Sequence, residues 1–251
     1  MNPLFILKKI ARAFGLEIKR TRTESFSPDI PAAFVDTYKK VRSYTMTSPD
    51  RIFSLCEAVK YVQDKNIAGD IVECGVWKGG SMMAVAETLL QTGDPNRSLY
   101  LFDTFEGMPP PTENDVDISG MTAKCLLETS DMDRDESVWC RANLDVVAKA
   151  LDSTGYPSER IKLIKGMVEQ TIPHLAPEKI ALLRLDTDWY ESTKHEMEQL
   201  FPRLTRGGVL IIDDYGHWQG ARKAVDEYLE NNNVKILLNR IDYTGRIAVK
   251  I

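Results

Sequence analysis

The sequence predicts an α/β protein whose sheet is mostly parallel, with one strand reversed, and three observations predict it. Short apolar runs, Ile71-Val72, Leu99-Tyr100-Leu101-Phe102, residues 161–165, Leu182-Leu183-Arg184-Leu185 and Val209-Leu210-Ile211-Ile212, alternate with stretches of helical period. Acids follow several of these runs directly, as Glu73, Asp103, Asp186 and Asp213-Asp214 do. In an open α/β sheet that is where ligands bind. The last two runs, 234–238 and 246–251, lie close enough in sequence for an antiparallel hairpin.

Each element has a local reason. Ser48-Pro49-Asp50 is a helix start, with a capping hydroxyl, proline at the first helical position and an acid in the first turn. Ile52, Leu55, Cys56, Val59 and Val62 then make an apolar stripe, which predicts a helix over 49–65. A strand over 70–75 is followed by a helix from about Ser81 that buries Met82, Val85, Ala86, Leu89 and Leu90. The strand over 99–102 ends at Asp103. A long insert then opens with the turn-rich Gly107-Met108-Pro109-Pro110-Pro111 and holds a predicted helix over 137–153. Insertions of this length at a sheet's ligand edge often cover the site, and a cover is expected here. After the strand over 180–185, a helix runs from about 190 to 204, broken or restarted at Pro202. Gly207-Gly208 is expected to turn the chain into the next strand, and a helix through Ala221, Ala224, Val225, Tyr228 and Leu229 follows.

At 251 residues the chain fits one large domain. The net charge of −5 is unevenly spread: residues 1–22 carry six Lys or Arg against Glu17, so +5, which leaves −10 for the rest. An acidic body argues against nucleic acid as a partner, because backbone binding needs clustered positive charge. Cys56, Cys74, Cys125 and Cys140 form no C-x-x-C pair and no zinc spacing, as expected of reduced cysteines in a cytoplasmic protein. No apolar run approaches a membrane span. Leu4, Leu7, Ile10, Ala11, Phe14 and Leu16 fall near helical spacing among basic residues. Such a helix packs on the body or on a second subunit, or acts as a weak anchor on an anionic inner membrane surface.

Two constellations carry chemistry. Glu73-x-Gly75-x-x-x-Gly79-Gly80-Ser81 follows a strand and opens a helix, yet it matches neither the dinucleotide fingerprint nor a Walker loop. Asp103 stands where an acid accepts hydrogen bonds from ribose hydroxyls, which suits an adenosine-containing cofactor lacking a pyrophosphate. Neighbouring strands lie about 4.8 Å apart, so adjacent strands ending at Asp186 and Asp213 would bring three carboxylates, Asp186, Asp213 and Asp214, to one point. Like charges so placed need a cation, and an oxygen-only set favours Mg²⁺. The plainer alternative has one aspartate capping a helix and another paired with Arg184 or Arg222.

Residues 71–80 (Ile-Val-Glu-Cys-Gly-Val-Trp-Lys-Gly-Gly), 102–109 (Phe-Asp-Thr-Phe-Glu-Gly-Met-Pro), 183–193 (Leu-Arg-Leu-Asp-Thr-Asp-Trp-Tyr-Glu-Ser-Thr) and 207–215, closing on Ile212-Asp213-Asp214-Tyr215, resemble the macrocin O-methyltransferase family in order and spacing. The resemblance implies a class I, Rossmann-like methyltransferase sheet of seven strands with the last antiparallel, helices on both faces and an insert cover over about 107–157. It implies a domain over 41–251 behind an extension over 1–40, and S-adenosyl-L-methionine and Mg²⁺ as cofactors. It further implies metal ligation by Asp186, Asp213 and Asp214, and cofactor contacts from Thr45, Met46, Glu73, Gly75, Ser81, Asp103, Gly166, Met167 and Asp186. Asp188 is the implied general base; no histidine lies in the insert to replace it, and His217 is its rival. The implied acceptor is a hydroxyl of a sugar, a glycosylated small molecule or a glycolipid, and the implied assembly is a homo-oligomer. A phenol or catechol acceptor, and a non-catalytic cofactor-binding module, are the competing readings.

Overall fold

The computed structural model describes residues 26–93, 95–131 and 137–251. The chain divides into two units, Met1–Val35 and Asp36–Ile251. The basic N-terminal stretch over 1–22 lies outside the described residues. Among the described residues, no helix is long and apolar enough to cross a membrane.

Helix α1 spans Ala32–Val41 and α2 spans Pro49–Asp64. As the sequence predicts, the Ser48 side chain accepts the Arg51 N–H, and Ile52, Leu55, Cys56, Val59 and Val62 are buried. Strand β1 (Asp70–Cys74), helix α3 (Gly80–Gln91) and strand β2 (Leu99–Asp103) follow. The insert contributes α4 (Ala123–Thr129) and α5 (Leu144–Asp152). Then come β3 (Ile161–Lys165), the single-turn α6 (Val168–Thr171) and β4 (Ile180–Leu185). Helix α7 (Tyr190–Leu200) ends in a 3₁₀ turn, Phe201–Arg203, where Pro202 cannot supply the next helical N–H. Strand β5 (Leu204–Ile212), helix α8 (Gln219–Asn231), β6 (Asn239–Arg240) and β7 (Arg246–Val249) complete the chain.

The seven strands run in the order β3-β2-β1-β4-β5-β7-β6, parallel except that β7 is antiparallel to its neighbours. The chain winds outward from β1 to β3, then returns to place β4 on the other side of β1. That reversal makes the β1/β4 boundary the switch point, where a crevice opens beyond the strand ends. Alternation sorts the side chains to two faces. Val72, Cys74, Phe102, Leu183, Leu185, Leu210 and Ile212 pack with Met197 and Leu200 of α7 and Val225 of α8. Glu73 and Arg184 are register partners on the opposite face, towards α2.

Three elements differ from expectation. The helix expected over 137–153 begins only at Leu144, because the Asn143 side chain caps the Val146 N–H and fixes the start there. The Gly207-Gly208 pair lies inside β5, not before it: the β4–β5 register shifts between Ile180 and Leu182, and a Cβ on Gly208 would stand 2.9 Å from the Ala181 carbonyl oxygen. The glycines serve a bulge. Residues 234–238 form no strand, and the hairpin with β7 is only two residues deep. Val234, Ile236 and Leu238 pack on the core instead.

Candidate active site

The carboxyl ends of β1, β2, β4 and β5 open into one pocket. Its wall includes Thr45, Met46, Gly75, Ser81, Asp103, Gly166, Met167, Asp186, Asp188, Asp213 and Asp214. Two of the other expected residues stand elsewhere. Glu73 is fully buried beneath the pocket with its carboxylate on Arg184, and His217 is not on the wall. The His217 ring lies edge-on to Trp218 and Tyr243, and Tyr243 Oη is 3.3 Å from Nδ1.

Two glycines explain how the wall closes. Gly75, at φ +82°, carries the chain off β1, and a Cβ there would stand 2.0 Å from the Asp186 carbonyl oxygen. Only glycine lets the tips of β1 and β4 approach so closely while adopting that φ. A Cβ on Gly80 would meet the Tyr44 backbone at 2.6 Å, and the Gly80 N–H donates to the Tyr44 carbonyl at 2.9 Å. The glycine-rich loop thereby holds the Thr45-Met46 segment against the start of α3. Asp103 accepts the N–H groups of Val76 (2.7 Å), Trp77 (3.2 Å) and Phe105 (2.6 Å), which pins that loop to β2. Trp77, Cys140 and Asp188 all line the pocket with positive φ, a conformation that non-glycine residues hold only when their surroundings impose it.

The insert supplies Gly107, Met108, Pro109 and Cys140 to the wall. It is fastened by its own acids. Asp115, fully buried, accepts the Tyr190 N–H at 2.7 Å and the Thr112 N–H at 2.6 Å, joining the insert to the first turn of α7. Trp189 donates its ring N–H to Pro109 and packs at 4.9 Å against Trp218.

The acids at the strand tips form two groups. Oxygens of Asp186, Asp188 and Asp214 all lie within 4.8 Å of one another. Asp213 is directed differently: Arg184 Nη2 holds its Oδ1 at 2.7 Å, and Arg51 Nη1 holds its Oδ2. The same Arg184 reaches Asp186 Oδ2 at 2.7 Å and Glu73 Oε1 at 2.8 Å. The sequence grouping of Asp186, Asp213 and Asp214 is thus met geometrically by Asp186, Asp188 and Asp214, with Asp213 engaged by two arginines. The plainer alternative is partly realised as well, since Arg184 does pair with the aspartates. Burial, reinforced by Asp186 and Asp213, pushes the Asp188 carboxyl up to about 7. Asp186 is also raised, chiefly by burial and then by Asp213 and Asp214 against the pull of Arg184, and Asp214 is raised by burial and then by Asp188 and Asp213. A cluster of this kind has oxygen donors only and suits a hard divalent cation.

A scan against protein families matches residues 17–249 to the macrocin-O-methyltransferase (TylF) family. The chain belongs to that family. It is accordingly an O-methyltransferase. Among relatives, it is 32% identical over 203 residues to 8-demethyl-8-(2,3-dimethoxy-alpha-L-rhamnosyl)-tetracenomycin-C 4'-O-methyltransferase of Streptomyces olivaceus, covering 81% of this chain and 74% of the relative. It is 29% identical to mycinamicin III 3''-O-methyltransferase of Micromonospora griseorubida, covering 81% and 77%. Among solved structures, the O-methyltransferase NovP superposes with a TM-score of 0.72 at 26% identity, over 82% of each chain.

Sequence reading did not single out Arg51 or Thr187, although both line the pocket. For Arg51 a signal existed. It is a cation in the first turn of a helix, where the macrodipole favours acids, so its charge needs a partner elsewhere. Arg184, in a six-residue strand that is otherwise apolar and buried throughout, carries the same kind of signal.

Proposed function

We propose that this O-methyltransferase uses S-adenosyl-L-methionine and Mg²⁺ to methylate a hydroxyl of a sugar or of a glycosylated small molecule. The observation that carries this reading is the convergence of Asp186, Asp188 and Asp214 beside a glycine-rich loop in one pocket. A relative aligned over 81% of this chain is named for methylation of a rhamnosyl-bearing tetracenomycin, which supports a glycosylated acceptor.

When bound, S-adenosyl-L-methionine supplies an electrophilic methyl on sulfonium, and Mg²⁺ supplies a Lewis acid that acidifies a nearby hydroxyl. The chain's own residues do the rest. Asp186 and Asp214 would hold the cation, and Asp213 would join them as third ligand. Asp103, with lone pairs left over from its backbone bonds, would accept ribose hydroxyls. Gly75, Ser81, Thr45, Met46, Gly166 and Met167 would enclose the cofactor. Asp188 would take the proton of the acceptor's hydroxyl as that oxygen becomes the nucleophile. In the metal-free protein burial already raises its carboxyl to about 7.

Transfer of labelled methyl from S-adenosyl-L-methionine to glycosylated small molecules tests the reading. Activity is expected to vanish in excess chelator and return with Mg²⁺; unaltered transfer in chelator would refute the metal's part. Asp188→Asn is expected to lower kcat by about a hundredfold or more, the usual worth of a general base, while S-adenosylhomocysteine still binds by calorimetry. His217→Ala should keep most of the wild-type rate, because the ring lies off the pocket wall. The opposite ranking of these two variants would reassign the base.

A further inference from the structure

Arg51 sits where a metal-binding carboxylate should be free. Its side chain is only 13% exposed, and it lines the same pocket as the acid cluster. Nη1 is bonded to Asp213 Oδ2, and Nε lies 3.1 Å from Asp242 Oδ2. The guanidinium also feels the charges of Asp214 and Asp186. The two stations differ in kind. Asp213 has its other oxygen committed to Arg184 at 2.7 Å, so Oδ2 is the oxygen it would offer to a cation in the pocket. Asp242 belongs to the turn between β6 and β7 and is fixed independently of Arg51. Its Oδ1 accepts the N–H groups of Thr244 (2.9 Å) and Gly245 (2.7 Å), and its Oδ2 accepts the Ser48 hydroxyl at 2.7 Å. The stem of Arg51 runs over Gly245, where a Cβ would stand 2.8 Å from Arg51 Cδ. A short rotation of the outer guanidinium can therefore give up Asp213 and keep Asp242.

We infer that Arg51 is an exchangeable clasp: it neutralises Asp213 until a divalent cation arrives, and the cation displaces it onto Asp242 alone. This inference rests on the metal reading above. It makes Arg51 a positioning residue that sets metal affinity, and it ties the arrival of the ion to the first turn of α2 and the adjoining Thr45–Thr47 wall. Metal entry then costs the release of a partly buried ion pair, which is why a variant lacking the guanidinium should bind metal better.

The test is Mn²⁺ binding followed by electron paramagnetic resonance on full-length protein without cofactor. Arg51→Met is expected to bind Mn²⁺ about tenfold more tightly than wild type, in the range measured for coupling between close, desolvated charges. Arg51→Gln, which keeps a hydrogen-bond donor without the charge, should also bind more tightly. Thermal unfolding supplies a second readout. In chelator, Arg51→Met should melt below wild type because Asp213 has lost a partner, and Mn²⁺ should raise its Tm by more than it raises that of wild type. If wild type binds Mn²⁺ and both variants bind it equally or more weakly, the clasp is overturned and the metal reading stands. If neither wild type nor the variants bind millimolar Mn²⁺, both fall together.

Discussion

Asp214→Asn is expected to abolish methyl transfer while making the metal-free protein more stable. The two effects share one cause. Asp214 lies within 4.8 Å of Asp186 and Asp188, and its proton affinity is raised by burial first and by Asp188 and Asp213 next. A carboxyl whose folded proton affinity exceeds its unfolded value withdraws stability as pH climbs past the unfolded value, most fully once pH passes the folded one. An amide of the same shape carries no such charge. At pH 8 in chelator the variant should therefore melt a few degrees above wild type, each ~1 kcal/mol being worth roughly 2–4 °C in a chain of this size. Turnover should fall by about a thousandfold, because a catalytic metal contributes several kcal/mol and each ~1.4 kcal/mol is a factor of ten. Calorimetry should show S-adenosylhomocysteine binding retained. A variant that keeps its rate, or that melts lower than wild type in chelator, would show that Asp214 is neither a metal ligand nor a member of a self-repelling cluster.

The second large effect is structural. Arg184 is 2% exposed and holds Glu73, Asp186 and Asp213 at 2.7–2.8 Å, with Nη2 also on the Thr47 hydroxyl at 3.0 Å. Arg184→Leu keeps the β-strand and its burial but strands three carboxylates. Removing one partner from a buried ion pair typically costs about 3–5 kcal/mol. The loss should depend on pH with a definite sign. Burial already pushes the Glu73 carboxyl up to about 7, against the pull of Arg184. Without the arginine it must rise further. An acid that binds its proton more tightly in the folded state stabilises the fold at low pH and loses that contribution as pH rises through its folded value. Arg184→Leu should therefore be most damaged above pH 7 and partly recovered near pH 5.5, as read by circular dichroism melts at both. Equal melting temperatures for variant and wild type at pH 8 would mean that Glu73 and Asp213 need no buried cation.

Much of the fold is local in origin, which is why it can be read from the chain. Ser48-Pro49-Asp50 sets the start of α2, and the apolar runs at 71–72, 99–102, 182–185 and 209–212 fall within the strands that form the parallel core. One misreading occurs where a contact outside the segment decides. Gly207-Gly208 is a bulge because Ala181 on the next strand needs the room, and no property of the pair itself says so. The start of α5 was hidden because Val138 extends the apolar pattern upstream of Asn143, although the cap was present in the sequence.

The sequence by itself determined the sheet, the family-like motifs and the residue types of the site: oxygen-only acids after strands, and glycines where backbones must nearly touch. Tertiary structure alone decided which acids face one another. Asp213 and Asp214 are adjacent in the chain, yet one is held by arginines from α2 and β4 while the other meets Asp186 and Asp188. Charge is fixed by composition, but its partner is fixed by distance, and the distance from residue 51 to residue 213 exists only once β5 has been laid beside β4 and α2 packed over both.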